Sequence, residues 1–200
     1  MGEIPGLRGR DNPKDILVGK LELEHEQAFH LKELYIFIYR YLLEDENFNS
    51  YQKDENPEIL YYERTDAQQN NHYHIWWRFY KYPYNSKYLR YYLKIDFQGI
   101  RIGQKEVIKN GQKFKVQSGD LIIRIEAWLQ LDYKDEWQNH WLLKSFDELF
   151  RSKIYRQQIE SHKIELYKIM YKLQNEIKNF WKLKTLKEMP NPWQPEKGMR

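Results

Sequence analysis

Between Asn71 and Ile95, ten of 25 positions are aromatic and five are cationic, with no acidic residue among them. Read in alternation, Trp76, Arg78 and Tyr80 fall on one face of a strand, and Tyr88, Arg90, Tyr92 and Lys94 on one face of the next. Paired as a hairpin, the two rows make a platform of rings and cations. Such a surface suits nucleic acid, because rings stack on bases at about 1–3 kcal/mol each while cations neutralise phosphates. It suits a protein partner equally, since Trp, Tyr and Arg dominate interface hot spots. The expected partner is therefore RNA, a ribonucleoprotein or another protein. The opposite faces carry Tyr73, Trp77, Tyr91 and Leu93, joined by Leu129 from a later strand.

Other residue combinations do not reach a chemistry. His25 and His30 sit five apart, about 140° around a helix, where zinc chelation needs a spacing of four. His72 and His74 share a strand face, but no third ligand accompanies them. Arg124, Glu126 and Trp128 lie on the less apolar face of the longest strand, and Asp96 shares a face with Arg90 and Lys94; ion pairing accounts for them. No Walker loop, no G-x-G-x-x-G and no G-x-S-x-G is present. Without cysteine there is no thiolate nucleophile and no disulfide framework. These absences lean the reading away from an enzyme, and no cofactor, metal or catalytic residue is expected.

The elements that position these residues follow from hydrophobic period. The chain has 200 residues, 41% hydrophobic and 31% charged, with a formal charge of +4 and a mean hydropathy of −0.92. That is enough for one globular core. No apolar run approaches the ~18 residues of a membrane span, and the N-terminal stretch lacks an apolar signal core, so a cytoplasmic protein with no membrane segment is expected. Ile16 to Glu24 alternates as a strand, and His25 to Glu46 repeats as an amphipathic helix. Further strands are expected over 59–64, 72–81, 87–97, 105–109, 112–117 and 121–133, with Asn110-Gly111 as a hairpin turn. Ser145 and Glu148 match a capping box opening a helix to about Lys187. A helix of that length would span about 60 Å, so a break or a projecting end is expected. If the distal end projects, Trp181 and Trp193 are candidate anchors for a partner helix.

The fold class is thus α+β: a mainly antiparallel sheet of about seven strands, in the order strand, helix, six strands, helix, packed on a long C-terminal helix. Residues 1–15 read as a flexible arm, 16–187 as a single domain and 188–200 as a proline-rich tail. This element order resembles the helix-grip arrangement of START and polyketide-cyclase-like proteins. The resemblance implies a curved sheet wrapped around the last helix and an apolar cavity between them. It supplies the alternative function: an apolar small molecule bound or transformed in a cavity lined by Tyr73, Trp77, Tyr91, Leu93 and Leu129. The leading expectation remains a non-enzymatic binding protein using the aromatic and basic face. Nothing in the pattern sets its oligomeric state.

Overall fold

The computed structural model describes residues 6–8, 12–50, 57–109 and 112–188. Its elements are β1 (Asp15–His25), α1 (Leu31–Arg40), β2 (Asn49–Ser50), β3 (Glu58–Thr65), β4 (Asn71–Lys81), β5 (Leu89–Lys109), β6 (Gln112–Leu131), α2 (Glu136–Asn139), α3 (Leu143–Leu149) and α4 (Arg156–Glu188). Every strand pairing is antiparallel. The sheet runs β1-β6-β5-β4, and β4 then carries β3 along one part of its outer edge and the two-residue β2 along another. β1 is therefore one margin, and β3 and β2 share the other.

Period-two alternation decides what each strand buries. β4 sends Tyr73, Ile75, Trp77 and Phe79 to one face, and β5 sends Leu89, Tyr91, Leu93, Ile95 and Phe97 to the same face. β6 completes it with Leu121, Ile123, Ile125, Ala127, Leu129 and Leu131. Against this face lie α1, through Leu31, Leu34 and Ile38, and α4, through Leu166, Met170, Leu173 and Ile177. Two small residues let α4 come close: Gly19 stands opposite Ala127 in the register, and a Cβ at Gly19 would meet the Met170 Cε at 2.4 Å. Two polar ties cross the same layer. The Trp77 indole donates to the Tyr35 hydroxyl at 3.0 Å. The Tyr91 hydroxyl donates to Glu165 at 2.9 Å and lies 2.7 Å from His162 Nδ1 on α4.

The expected class holds, with six strands among the described residues in place of about seven. The segments expected as 87–97 and 105–109 are one strand, β5, and those expected as 112–117 and 121–133 are one strand, β6. Long strands survive the polar stretches Gln98–Gln104 and Gln117–Asp120 because the two pair across the ladder, Ile100 with Asp120, Gly103 with Ser118 and Gln104 with Gln117. The register shifts between Ile100 and Gly103, where Arg101 adopts φ 52° opposite Gly119 at φ 152°. β2 falls between the helix expected to end at Glu46 and the strand expected from 59, where no element is expected. The Asn110-Gly111 turn and nearly all of the proline-rich tail lie outside the described residues.

The expected break in the C-terminal helix is a wide turn at Phe150–Ile154, closed by Tyr155 N–H donating to Phe150 O at 2.7 Å. Ser145 sits inside α3 and caps nothing. The His140 ring accepts from the Leu142 and Leu143 N–H groups instead, each at 3.3 Å. Trp181 does not project as an anchor; it is buried and stacked on the His25 ring at 4.6 Å. Trp193 lies outside the described residues.

At Gly119 a Cβ would meet the Arg101 carbonyl oxygen at 2.5 Å, on a backbone that side chains rarely adopt. Gly119→Ala is expected to lower stability by about 2 kcal/mol, read from the urea midpoint. A second expectation concerns alkali. Burial raises the Tyr41, Tyr88 and Tyr91 hydroxyls above their ordinary value of 10.0, helped by Glu46, Asp147 and Glu165 respectively. A group whose pKa is raised by folding contributes fully below its unfolded value and loses that contribution as pH climbs towards the folded one. Stability should therefore hold up to about pH 10 and fall steeply above it. Denaturant midpoints, measured beside phenolate absorbance, check this.

Candidate binding surface

No described helix packs on the other face of the sheet, where alternation places Trp76, Arg78, Tyr80, Arg90, Tyr92 and Lys94. β4 and β5 pair as the expected hairpin, in a register that sets Trp76 against Asp96, Arg78 against Lys94 and Tyr80 against Tyr92. Beyond them β6 adds Trp128 beside Tyr92, Glu126 beside Lys94 and Arg124 beside Asp96. β1 adds Lys20 and Glu22. The face is thus a grid of charge in its middle with an aromatic row at one end.

The cations in this grid have carboxylate partners. Arg78 Nη1 donates to Asp96 at 2.6 Å, while its guanidinium lies 5.9 Å from the Trp76 ring centre. Lys94 Nζ lies 3.7 Å from Glu126 and 5.3 Å from the Trp128 ring centre. Lys20 reaches Glu126 at 3.1 Å, and Arg124 reaches Glu22 at 2.5 Å. The Glu126 carboxyl is partly desolvated, which raises its pKa, yet Lys20, Lys94 and the Trp128 indole outweigh this and hold it below the ordinary carboxylate value. These pairings stabilise the sheet surface and leave less positive field for a phosphate backbone.

Two of the expected contact residues are not accessible. Arg90 is 2% exposed and Tyr92 is 3% exposed. The cause is the N-terminal segment expected to be a flexible arm. Residues 6–8 lie across this end of the sheet, with Leu7 packed on Tyr92, Trp128 and Tyr80. A chain of hydrogen bonds holds the segment down. Arg90 Nε donates to Gln130 Oε1 at 2.8 Å, and Gln130 Nε2 donates to the Gly6 carbonyl at 3.3 Å and to Asp15 at 3.2 Å. The Arg90 guanidinium lies 5.0 Å from the Tyr133 ring centre and 6.0 Å from that of Tyr92. Burial pulls its pKa down, while Tyr82, Tyr92 and Tyr133 support the charge.

Tyr88 also leaves the row. It precedes β5 and turns to the helical side, where its ring lies 5.2 Å from Trp137 and 5.5 Å from Phe150. Its hydroxyl donates to Asp147 at 3.2 Å. Arg78, Tyr80 and Lys94 remain half-buried and Trp76 open. Sequence reasoning missed what the open end gains from β3. Leu60 and Tyr62 stand opposite Trp76 and His74, so Trp76 (43% exposed) and Tyr62 (48%) share one margin of the sheet. The signal was available in the alternation of Glu58–Thr65, but its pairing with β4 was not.

The five residues of the cavity reading are buried in the contiguous core. Trp77 packs edge-on against Tyr35 at 4.3 Å and Phe97 at 4.8 Å, so side chains fill the space there between sheet and helices. The described clefts lie elsewhere. One, of about 760 Å³, opens between the end of β1 and α4 around His25, Lys178 and Trp181. Another, of about 590 Å³, is polar and lined by Lys14, Gln138, Asp147 and Arg151 among others. At this second cleft Lys14 Nζ lies 2.8 Å from Asp132 and 3.4 Å from Asp147, and Arg151 Nε donates to Asp147 at 3.1 Å. Asp132 also accepts from the N–H groups of Trp137 and Gln138, at 3.0 and 3.1 Å. The Arg8 guanidinium meets the Leu131 and Asp132 carbonyl oxygens and the Asp135 carboxylate. These groups satisfy one another, so they read as a clasp joining β1, β6 and α3. Residues 14, 132 and 147 are too far apart in the chain for spacing to reveal it. Among the described residues no three His, Asp or Glu side chains are placed to hold a metal.

The molecule is thus an α+β protein with an open antiparallel sheet, helices on one face and an ion-paired aromatic surface on the other. No family model, curated protein or solved structure matches the chain. No described helix is long and apolar enough to cross a membrane.

Lys14 is the cation between two buried carboxylates, and removing one partner of such a cluster leaves charge without compensation. Lys14→Ala is expected to cost about 3–5 kcal/mol in chemical denaturation, and a loss under about 1 kcal/mol would mean the clasp is solvated.

Proposed function

We propose that this is a non-enzymatic binding protein that takes an extended segment of a protein partner along β3, at the open margin of the sheet. One observation carries the reading. β3 is a marginal strand that pairs, among the described residues, with β4 alone, and it exposes Tyr62 on the face it shares with Trp76, with Ile59 also in solvent and Tyr61 exposed on the opposite face, across from Ile75. Proteins ordinarily blunt such edges with lysine, proline or a very short strand, because an unpaired row of N–H and C=O groups invites another chain. Eight residues long and rich in rings, β3 has the features of a strand-addition site, where backbone pairing supplies affinity and alternate side chains supply selectivity. Trp76, held by the Arg78 guanidinium, and Tyr62 would flank an incoming apolar side chain.

RNA is the less favoured partner for a physical reason: Arg78 and Lys94 have carboxylate neighbours, and Arg90 is buried. A phosphate would have to displace Asp96 or Glu126 before either half-buried cation could serve it. The small-molecule reading lacks a support of this kind, since its five lining residues are packed against one another and against α1 and α4.

A photo-crosslinking residue at position 62, in the full chain inside its own cells, tests the reading. A discrete protein adduct that disappears when Trp76→Ala is added, with the fold preserved by circular dichroism, is the expected result. Nuclease-sensitive adducts in its place would move the surface to RNA. No adduct above that given by position 20, on the same face, would end the proposal.

A further inference from the structure

α3 is apolar on the side turned away from the core. Inward, Asp147 is buried in the Lys14 clasp, and the adjoining Phe150 packs on Trp137 at 4.5 Å and on Tyr155 at 5.0 Å. Outward, Leu142, Phe146 and Leu149 recur at i, i+4 and i+7, the spacing of a single helical stripe. Trp141 just before the helix and Ile154 just after it extend the stripe. These five side chains are between 45% and 82% exposed, with Trp141 the most open. On a chain with a mean hydropathy of −0.92, so many bulky apolar groups in water mark a contact site.

Charge decides the occupant. Over residues 140–156 the exposed cations are Lys144, Lys153 and Arg156, against one exposed acid, Glu148. Asp147 and Arg151 neutralise each other beneath the surface. A Trp, a Phe and three branched aliphatic residues, flanked by unmatched cations, have the composition of segments that lie in the boundary between lipid headgroups and acyl chains. We propose that this face of α3 docks the protein on an anionic lipid surface. The five side chains enter the boundary region, while Lys144, Lys153 and Arg156 sit at the level of the phosphates. α3 has seven residues and cannot span a bilayer. The contact is peripheral. Because the clasp fixes α3 from below, the patch is formed before it meets the lipid, and docking orders little of the chain. The site is separate from β3, so either can fail without the other.

Co-sedimentation of the full chain with vesicles tests it. Binding is expected to phosphatidylcholine vesicles containing phosphatidylglycerol, weakening as salt is raised, and not to phosphatidylcholine alone. The double variant Trp141→Ser/Phe146→Ser should bind at least about tenfold more weakly while keeping its circular dichroism spectrum. Lys153→Glu/Arg156→Glu, a change confined to charge, should remove the preference for the anionic lipid. Absence of binding to anionic vesicles, or binding that both variants leave unchanged, would overturn the proposal. So would concentration-dependent self-association without lipid that Trp141→Ser/Phe146→Ser abolishes, because the patch would then belong to a second copy of the chain.

Discussion

An open antiparallel sheet places half of its side chains on each face, and in this protein the described helices reach only one. Everything else follows from how the uncovered face is made compatible with water. β4, β5 and β6 cannot move their alternate residues elsewhere without turning the core outward. The solution is mixed. The middle of the face is paired charge, with Arg78, Lys94, Lys20 and Arg124 set against Asp96, Glu126 and Glu22. One end is roofed by residues 6–8. The end nearest β3 is left with rings in solvent. It is the treatment of this face, more than the core, that separates a recognition surface from decoration.

Alternation was enough to assign the inner rows of β4, β5 and β6, because a run such as Tyr73, Ile75, Trp77 and Phe79 has one sensible side to bury. It also placed Trp76, Arg78, Tyr80, Arg90, Tyr92 and Lys94 on a common face. It could not say whether that face would be open. Arg90 and Tyr92 are sealed by Leu7 and Gly6, more than eighty positions away, and a local pattern contains no record of such a contact. Tyr88 departed for a similar reason: it lies one residue before its strand, where parity no longer governs direction, and Trp137, Phe150 and Asp147 claim it.

The count of strands erred where polarity was mistaken for interruption. Gln98 to Gln104 carries no strand pattern of its own and Ser118 to Asp120 has the composition of a turn, but the two pair across the ladder, and the hydrogen bonds of the pair outweigh the weak strand preference of either. The clasp of Lys14, Asp132 and Asp147 was illegible for the opposite reason. Each residue reads as an ordinary surface charge in its own neighbourhood, and only the meeting of β1, β6 and α3 takes water away from all three.

The wide turn at Phe150–Ile154 has a role beyond breaking an overlong helix. It closes with a bond spanning five residues and is followed by Tyr155 near φ −99°, ψ 0°, so helical phase is not carried from α3 into α4. Upstream, the apolar stripe looks outward; downstream, it looks into the core. Each residue is worth about 100° of rotation, so one insertion or deletion in this hinge would swing the outward stripe around the axis while α4 stayed seated. The direction in which the protein presents its greasiest surface is thus set jointly by the length of five residues and by the clasp, since turning α3 would also draw Asp147 away from Lys14.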